Sequence, residues 1–126
     1  MKLRARRGSL RFRLTQPEVA SLASGAPLEE VVDVAPGAAL VFRLVTSSAA
    51  TGIGARLAGA ELTVEIPTAL VIAWASSERV GLEATQPVEG ASALAILVEK
   101  DFACLAPRPD DEDAFPNPAA GRGVSC

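Results

Sequence analysis

One alignment frame within this chain constrains its fold more than any other feature. Laying residue 10 on residue 62 matches Leu10 with Leu62, Phe12 with Val64, Leu14 with Ile66, Val19 with Val71, Leu22 with Trp74 and Leu28 with Val80. In both copies the apolar residues first recur at every second position and then at helical spacing. This is the signature of a half-buried strand running into a short amphipathic helix. Two such segments, each with one apolar face, bury those faces most economically against one another.

The local signals fill in a unit around each segment. KLRAR and LRFRL alternate, with Gly8 and Ser9 as the turn between them, so they predict a hairpin with Leu10, Phe12 and Leu14 on one face. TQPEVASLASG predicts a helix: Thr15 caps it, Pro17 sits in its first turn, Val19, Leu22 and Ala23 share a face, and Gly25 ends it. Strands follow at about 28–34 and 38–46, joined by the APG turn. In the second copy, ELTVEIP places Leu62, Val64 and Ile66 inward and Glu61, Thr63 and Glu65 outward. Pro67 then opens a helix over TALVIAWASS, and strands at about 79–85 and 93–99 complete the unit.

The expected fold is therefore α+β: a β-rich, barrel-like or two-layer domain made of two duplicated strand-strand-helix-strand-strand units, with an irregular C-terminal strap. One domain spans 1–126, with repeat one at about 2–46, repeat two at about 50–99 and the tail at about 106–126. Pro107, Pro109, Pro116 and Pro118 exclude a helix or a central strand from that tail. With 49% apolar but only 4% aromatic residues, the core must come from Val, Leu, Ile and Ala. Such packing suits a narrow interior with little room for a large pocket.

Charge is unevenly distributed behind a net −3. Lys2, Arg4, Arg6, Arg7, Arg11 and Arg13 open the chain, while Glu99, Asp101, Asp110, Asp111, Glu112 and Asp113 cluster near its end. The opening residues do not form a secretory leader, and TALVIAWA and ALAILV are far shorter than the ~20 residues of a membrane helix, so the expected compartment is the cytoplasm, with no membrane association. There Cys104 and Cys126 are expected as thiols or metal ligands rather than a disulfide.

Histidine is absent, which removes Ser/His and Cys/His nucleophilic systems and imidazole metal sites. GIGARLAG at 52–59 lacks the Lys-Ser/Thr of a phosphate loop and reads as part of a hairpin. Cys104 and Cys126, with the acids between them, are the candidate metal ligands. Their wide spacing and the lack of His do not match structural zinc, and DDEDAFPNP lacks the central Gly and terminal Glu of an EF-hand, so a metal is not favoured. Cys104 packed beside Phe102 and Leu105, with solvated acids, is the simpler reading. The candidate binding residues are Arg4, Arg6, Arg11 and Arg13 on the basic strands and Asp110, Asp111, Asp113 and Phe115 in the tail. A pI near 4.9 and the scarcity of aromatics disfavour nucleic acid, so a solvated basic face, neutralised by the tail, is preferred.

Two resemblances add to these readings. ELTVEIPTALVIAWASSERVGLEA resembles the strand, Pro, helix, strand unit of AbrB/MazE-type swapped-hairpin proteins, which implies dimers that bind DNA through basic strands and loops; here the matching segment carries Glu61, Glu65, Glu78 and Glu83. LRFRLTQPEV at the start, ILVEKDFACL and DEDAFPNP near the end and a last Cys resemble a family of small uncharacterised bacterial proteins across nearly the whole chain. That resemblance implies a tail that is part of the folded unit, and no activity or cofactor. The resulting expectation is a non-enzymatic binding or interaction module without cofactor, monomeric or homodimeric, with a protein or small ligand as partner. The alternatives are an AbrB-like DNA-associated protein and a small metal-dependent protein using the Cys/Asp cluster.

Overall fold

The computed structural model describes residues 1–102. Eight strands and two helices follow in the order β1 (Lys2–Arg6), β2 (Ser9–Leu14), α1 (Gln16–Ala23), β3 (Leu28–Ala35), β4 (Ala38–Ser47), β5 (Gly54–Ala58), β6 (Glu61–Pro67), α2 (Thr68–Ala75), β7 (Gly81–Gln86) and β8 (Leu94–Lys100). The order is strand, strand, helix, strand, strand, twice over. The strands form two four-stranded sheets, β1-β2-β8-β7 and β3-β4-β6-β5. Each unit thus gives its first hairpin to one sheet and its second hairpin to the other. Exchanging the units maps one strand order onto the other, and the central pair of each sheet, β2 with β8 and β4 with β6, is parallel in both.

The pairing registers fix how the two units correspond. Phe12 faces Val98 across β2 and β8, and Val64 faces Leu44 across β6 and β4. Since Phe12 matches Val64, Val98 matches Leu44; Leu28 then matches Leu82, because these pair with Leu44 and Val98 respectively. The repeat frame therefore shifts by two residues after the helix. Val80, matched with Leu28 in the gap-free alignment, is 53% exposed, whereas Leu82 is 2% exposed. A longer connection between α2 and β7 accounts for the shift.

The remaining repeat positions carry the core. Phe12, Leu14, Val19, Leu22, Leu44, Val64, Ile66, Val71, Trp74, Leu82, Ile96 and Val98 form one buried cluster. Burying each large side chain contributes roughly 1.5–3 kcal/mol, so matched pairs from both units share the stabilisation. Thr63, placed outward by alternation, is nevertheless buried. It lies between Arg43 and Arg56 in its cross-strand row, where long aliphatic stems cover a short side chain.

The sheets do not close into a barrel. At one seam the β5 and β7 edges are bridged by a single side chain: Gln86 Oε1 accepts from Ala55 N at 2.7 Å and Gln86 Nε2 donates to Ala55 O at 2.9 Å. The amide thereby mimics a strand partner for one residue. Near the other seam the Met1 ammonium reaches Glu30 on β3 at 3.3 Å and also contacts Glu18. No helix among the described residues is long and apolar enough to cross a membrane.

Candidate functional site

The β1-β2 hairpin turns its apolar positions inward, and alternation leaves its basic positions on the outer face of the first sheet. Lys2 stands directly opposite Arg13, Arg4 opposite Arg11 and Arg6 opposite Ser9. Like charges placed directly across an antiparallel pair repel, so this arrangement opposes folding rather than assisting it. Its electrostatic relief comes partly from the neighbouring strand. Arg11 Nε lies 2.9 Å from the buried Glu99 Oε1, an ion pair between adjacent strands. Lys2 Nζ donates to Asp101 Oδ2 at 3.2 Å. Arg4, Arg6, Arg11 and Arg13, separated in sequence, are therefore brought onto one surface, as alternation predicted.

The outer face of the second sheet is built differently. There Arg43 is flanked by Glu29 at 2.8 Å and Glu61 at 3.0 Å, and Arg56 lies 3.6 Å from Glu65. The hydrogen bonds that Arg43 donates to Glu29 and then to Glu61 hold its guanidinium above its ordinary pKa. Opposite charges alternate across this face, whereas the first sheet concentrates one sign on two strands.

A second feature lies where both helices end. A cleft of ≈ 940 Å³ runs between Leu14, Val19, Ala20 and Ala23 on one side and Ile72 and Ala75 on the other, with Ser76, Ser77 and Glu78 at its rim. Lys100, Asp101 and Phe102 close its third wall. Lys100 Nζ is held by Ser77 O at 2.6 Å and sits 5.6 Å from the centre of the Trp74 ring. The expectation of little room for a large pocket missed this groove between the helices. The available signal was α2 itself: TALVIAWA is apolar throughout, yet only Val71 and Trp74 are fully buried. Part of the remaining apolar surface, at Ile72 and Ala75, belongs to the cleft.

The cleft and the basic face adjoin. Asp101 lines the one and pairs with Lys2 on the other, and Asp101 N donates to Leu14 O at 2.8 Å, continuing the β2-β8 pairing into the cleft wall. Gly54–Ala58, from the segment considered as a phosphate loop, is strand β5. Cys104, Cys126, Asp110, Asp111, Asp113 and Phe115 lie outside the described residues. Among the described residues no three acidic or thiol groups are grouped to hold a metal ion. No curated protein and no solved structure matches the chain. A family model matches residues 1–119, reaching through both units and into the acidic tail, and the chain accordingly belongs to a family of unknown function, DUF7009.

Proposed function

We propose that this protein is a non-catalytic interaction module that engages an acidic protein segment through the outer face of β1 and β2. The supporting observation is the direct opposition of Arg4 with Arg11 and of Lys2 with Arg13. Carboxylates laid across a face where like charges stand directly opposite one another are attracted to both strands at once. Arginine suits this role, since its planar fork takes a carboxylate through two parallel hydrogen bonds.

A second reading is nucleic acid binding. It is favoured by the same basic strands, by the way each unit lends one hairpin to either sheet, and by the resemblance of residues 61–84 to swapped-hairpin proteins. Against it stands the acidic charge on that matching segment.

Fluorescence anisotropy with a labelled Asp/Glu-rich peptide and with a duplex DNA, each over a salt series, separates the two. Peptide binding that falls at least about tenfold in Arg4→Glu, the size of a 1.4 kcal/mol loss, supports the first reading. Binding of DNA alone, with a steep salt dependence, replaces it with the second. Peptide binding indifferent to Arg4→Glu rejects the proposed face.

A further inference from the structure

We infer that the cleft between the helices is a binding site for a medium-chain monocarboxylate, its alkyl chain lying between α1 and α2 and its carboxylate on Lys100. Shape supplies the first reason. At ≈ 940 Å³ the cleft has the size of small-molecule sites, which run to roughly 1,000 Å³ and are mostly apolar with a few polar groups. Ala20 and Ala23 on α1 and Ala75 on α2 present small side chains there, so the passage between the helices suits a slender chain better than a ring system. Apart from Gln16, the polar lining comes from the connection after α2 and from the end of β8, which meet where Lys100 Nζ reaches Ser77 O.

The setting of Lys100 supplies the second reason. Its backbone N donates to Val80 O at 2.9 Å and its Nζ to Ser77 O at 2.6 Å, so main chain and side chain are both pinned to the α2-β7 connection. That connection is itself tied down: Ser77 Oγ donates to Trp74 O at 3.0 Å and accepts from Arg79 N at 3.2 Å. The Trp74 ring centre lies 5.6 Å from the ammonium. An ammonium has three donors, and a neutral carbonyl and a ring face leave its charge without an anion. Among the described residues Lys100 forms no ion pair. Asp101, on the same wall, is already paired with Lys2 at 3.2 Å, and Glu78 is exposed, where water and salt screen it. A carboxylate therefore meets a cation that is held in place beforehand, which lowers the ordering cost of a charge-assisted hydrogen bond.

The duplication supplies the third. Leu14 pairs with Lys100 as Ile66 pairs with Thr46, and Leu14 matches Ile66, so Thr46 is the counterpart of Lys100. One strand position thus carries a hydroxyl in the first unit and an ammonium in the second. The scaffold does not require a cation there.

The test is isothermal titration calorimetry of the full chain with decanoate, octanoate and decylamine, each below its micelle concentration. One decanoate per chain is expected, bound at least about tenfold more tightly than decylamine, which has the same chain length and the opposite charge. Each buried methylene is worth about fourfold, so octanoate should bind on the order of tenfold more weakly than decanoate. Lys100→Gln should weaken decanoate about tenfold without weakening decylamine, and Lys100→Arg should keep the preference for the carboxylate. Ile72→Asp, at a residue that is 50% exposed, should weaken decanoate with the far-UV circular dichroism unchanged. Decanoate should also shift the emission of Trp74, the only tryptophan, because the ammonium near its ring is drawn to the carboxylate. Equal affinity for decanoate and decylamine, or decanoate binding unmoved by Lys100→Gln and Ile72→Asp alike, overturns the inference. The acidic peptide is read in its own titration through Arg4→Glu, so the two readings fail independently.

Discussion

The two units share a topology but hold their helices by different means. α1, QPEVASLA, is fastened at its start: Thr15 N donates to Glu18 Oε1 at 2.9 Å and Glu18 N to Thr15 Oγ1 at 3.4 Å, a reciprocal capping box. α2, TALVIAWA, begins after Pro67 with no side-chain cap. Each helix fully buries the same two positions, Val19 and Leu22 in one, Val71 and Trp74 in the other. Polar capping thus does for the first helix what apolar surface does for the second. Of the apolar residues that α2 carries beyond its buried pair, Ile72 and Ala75 face the cleft. A duplicated scaffold has kept its core positions and diverged in what each copy shows to the outside.

The largest expected effect strikes the shared core. Trp74→Ala should destabilise by ~3–5 kcal/mol and Leu22→Ala by ~2–5 kcal/mol, measured as shifts in urea midpoint at constant slope. Trp74 also carries an Nε1 that makes no hydrogen bond among the described residues, so its value lies in packing. Trp74→Leu, which copies the first unit's residue, should therefore cost less than Trp74→Ala. If Trp74→Ala costs under about 1 kcal/mol, the position is not core in the sense the equivalence demands.

A smaller effect is expected where the units cannot be interchanged. Gly81 lies against its partner strand: a Cβ there would meet Val98 O and Glu99 Cγ, both at 2.9 Å. The matching position in the first unit is Pro27, which is exposed. Gly81→Ala should cost about 1–3 kcal/mol by overpacking, while Pro27→Ala should stay within about 0.5 kcal/mol. Equal costs at the two positions would mean that the β7-β8 pair yields more readily than its geometry suggests.

These positions also show what the sequence made legible. Period-two alternation and helical spacing are local consequences of backbone geometry, so LRFRL, ELTVEIP and both helices could be read directly, as could the gathering of Arg4, Arg6, Arg11 and Arg13 on one face. The two-residue shift that moves Leu28's counterpart from Val80 to Leu82 could not be read, because Val80 and Leu82 fit the same alternation and only pairing with β8 decides between them. Nor could the exchange of hairpins between sheets, which depends on contacts between distant segments rather than on any single stretch. The cleft was hidden for a related reason. An apolar helix such as TALVIAWA signals burial without saying what provides it, and that is settled by where Leu14 and Phe102 arrive in space.

The smallest expected effect concerns the cap that only the first unit has, and it divides by substitution and by pH. Thr15→Ala removes the hydroxyl that accepts from Glu18 N and should cost about 0.5–2 kcal/mol. Glu18→Gln keeps a side chain able to reach back to Thr15 N, and so isolates the ion pair with the Met1 ammonium. Burial opposes charge on both groups, but on Glu18 it is outweighed by the Met1 and Thr15 hydrogen bonds, which hold its pKa below 4.5. For Met1, burial is likewise outweighed by Glu18 and Glu30, which hold the ammonium above 8.0. A lowered carboxyl stabilises the fold fully above 4.5 and loses that contribution as pH falls through its folded value. A raised ammonium stabilises it fully below 8.0 and loses that contribution as pH rises through its folded value. The stability difference between wild type and Glu18→Gln should therefore be largest and flat between 4.5 and 8.0, at about 0.2–1 kcal/mol, and shrink on either side. Urea titrations at acid, neutral and alkaline pH read this directly. A difference that grows toward acid would show that the Glu18 carboxylate contributes through something other than the ammonium and the cap.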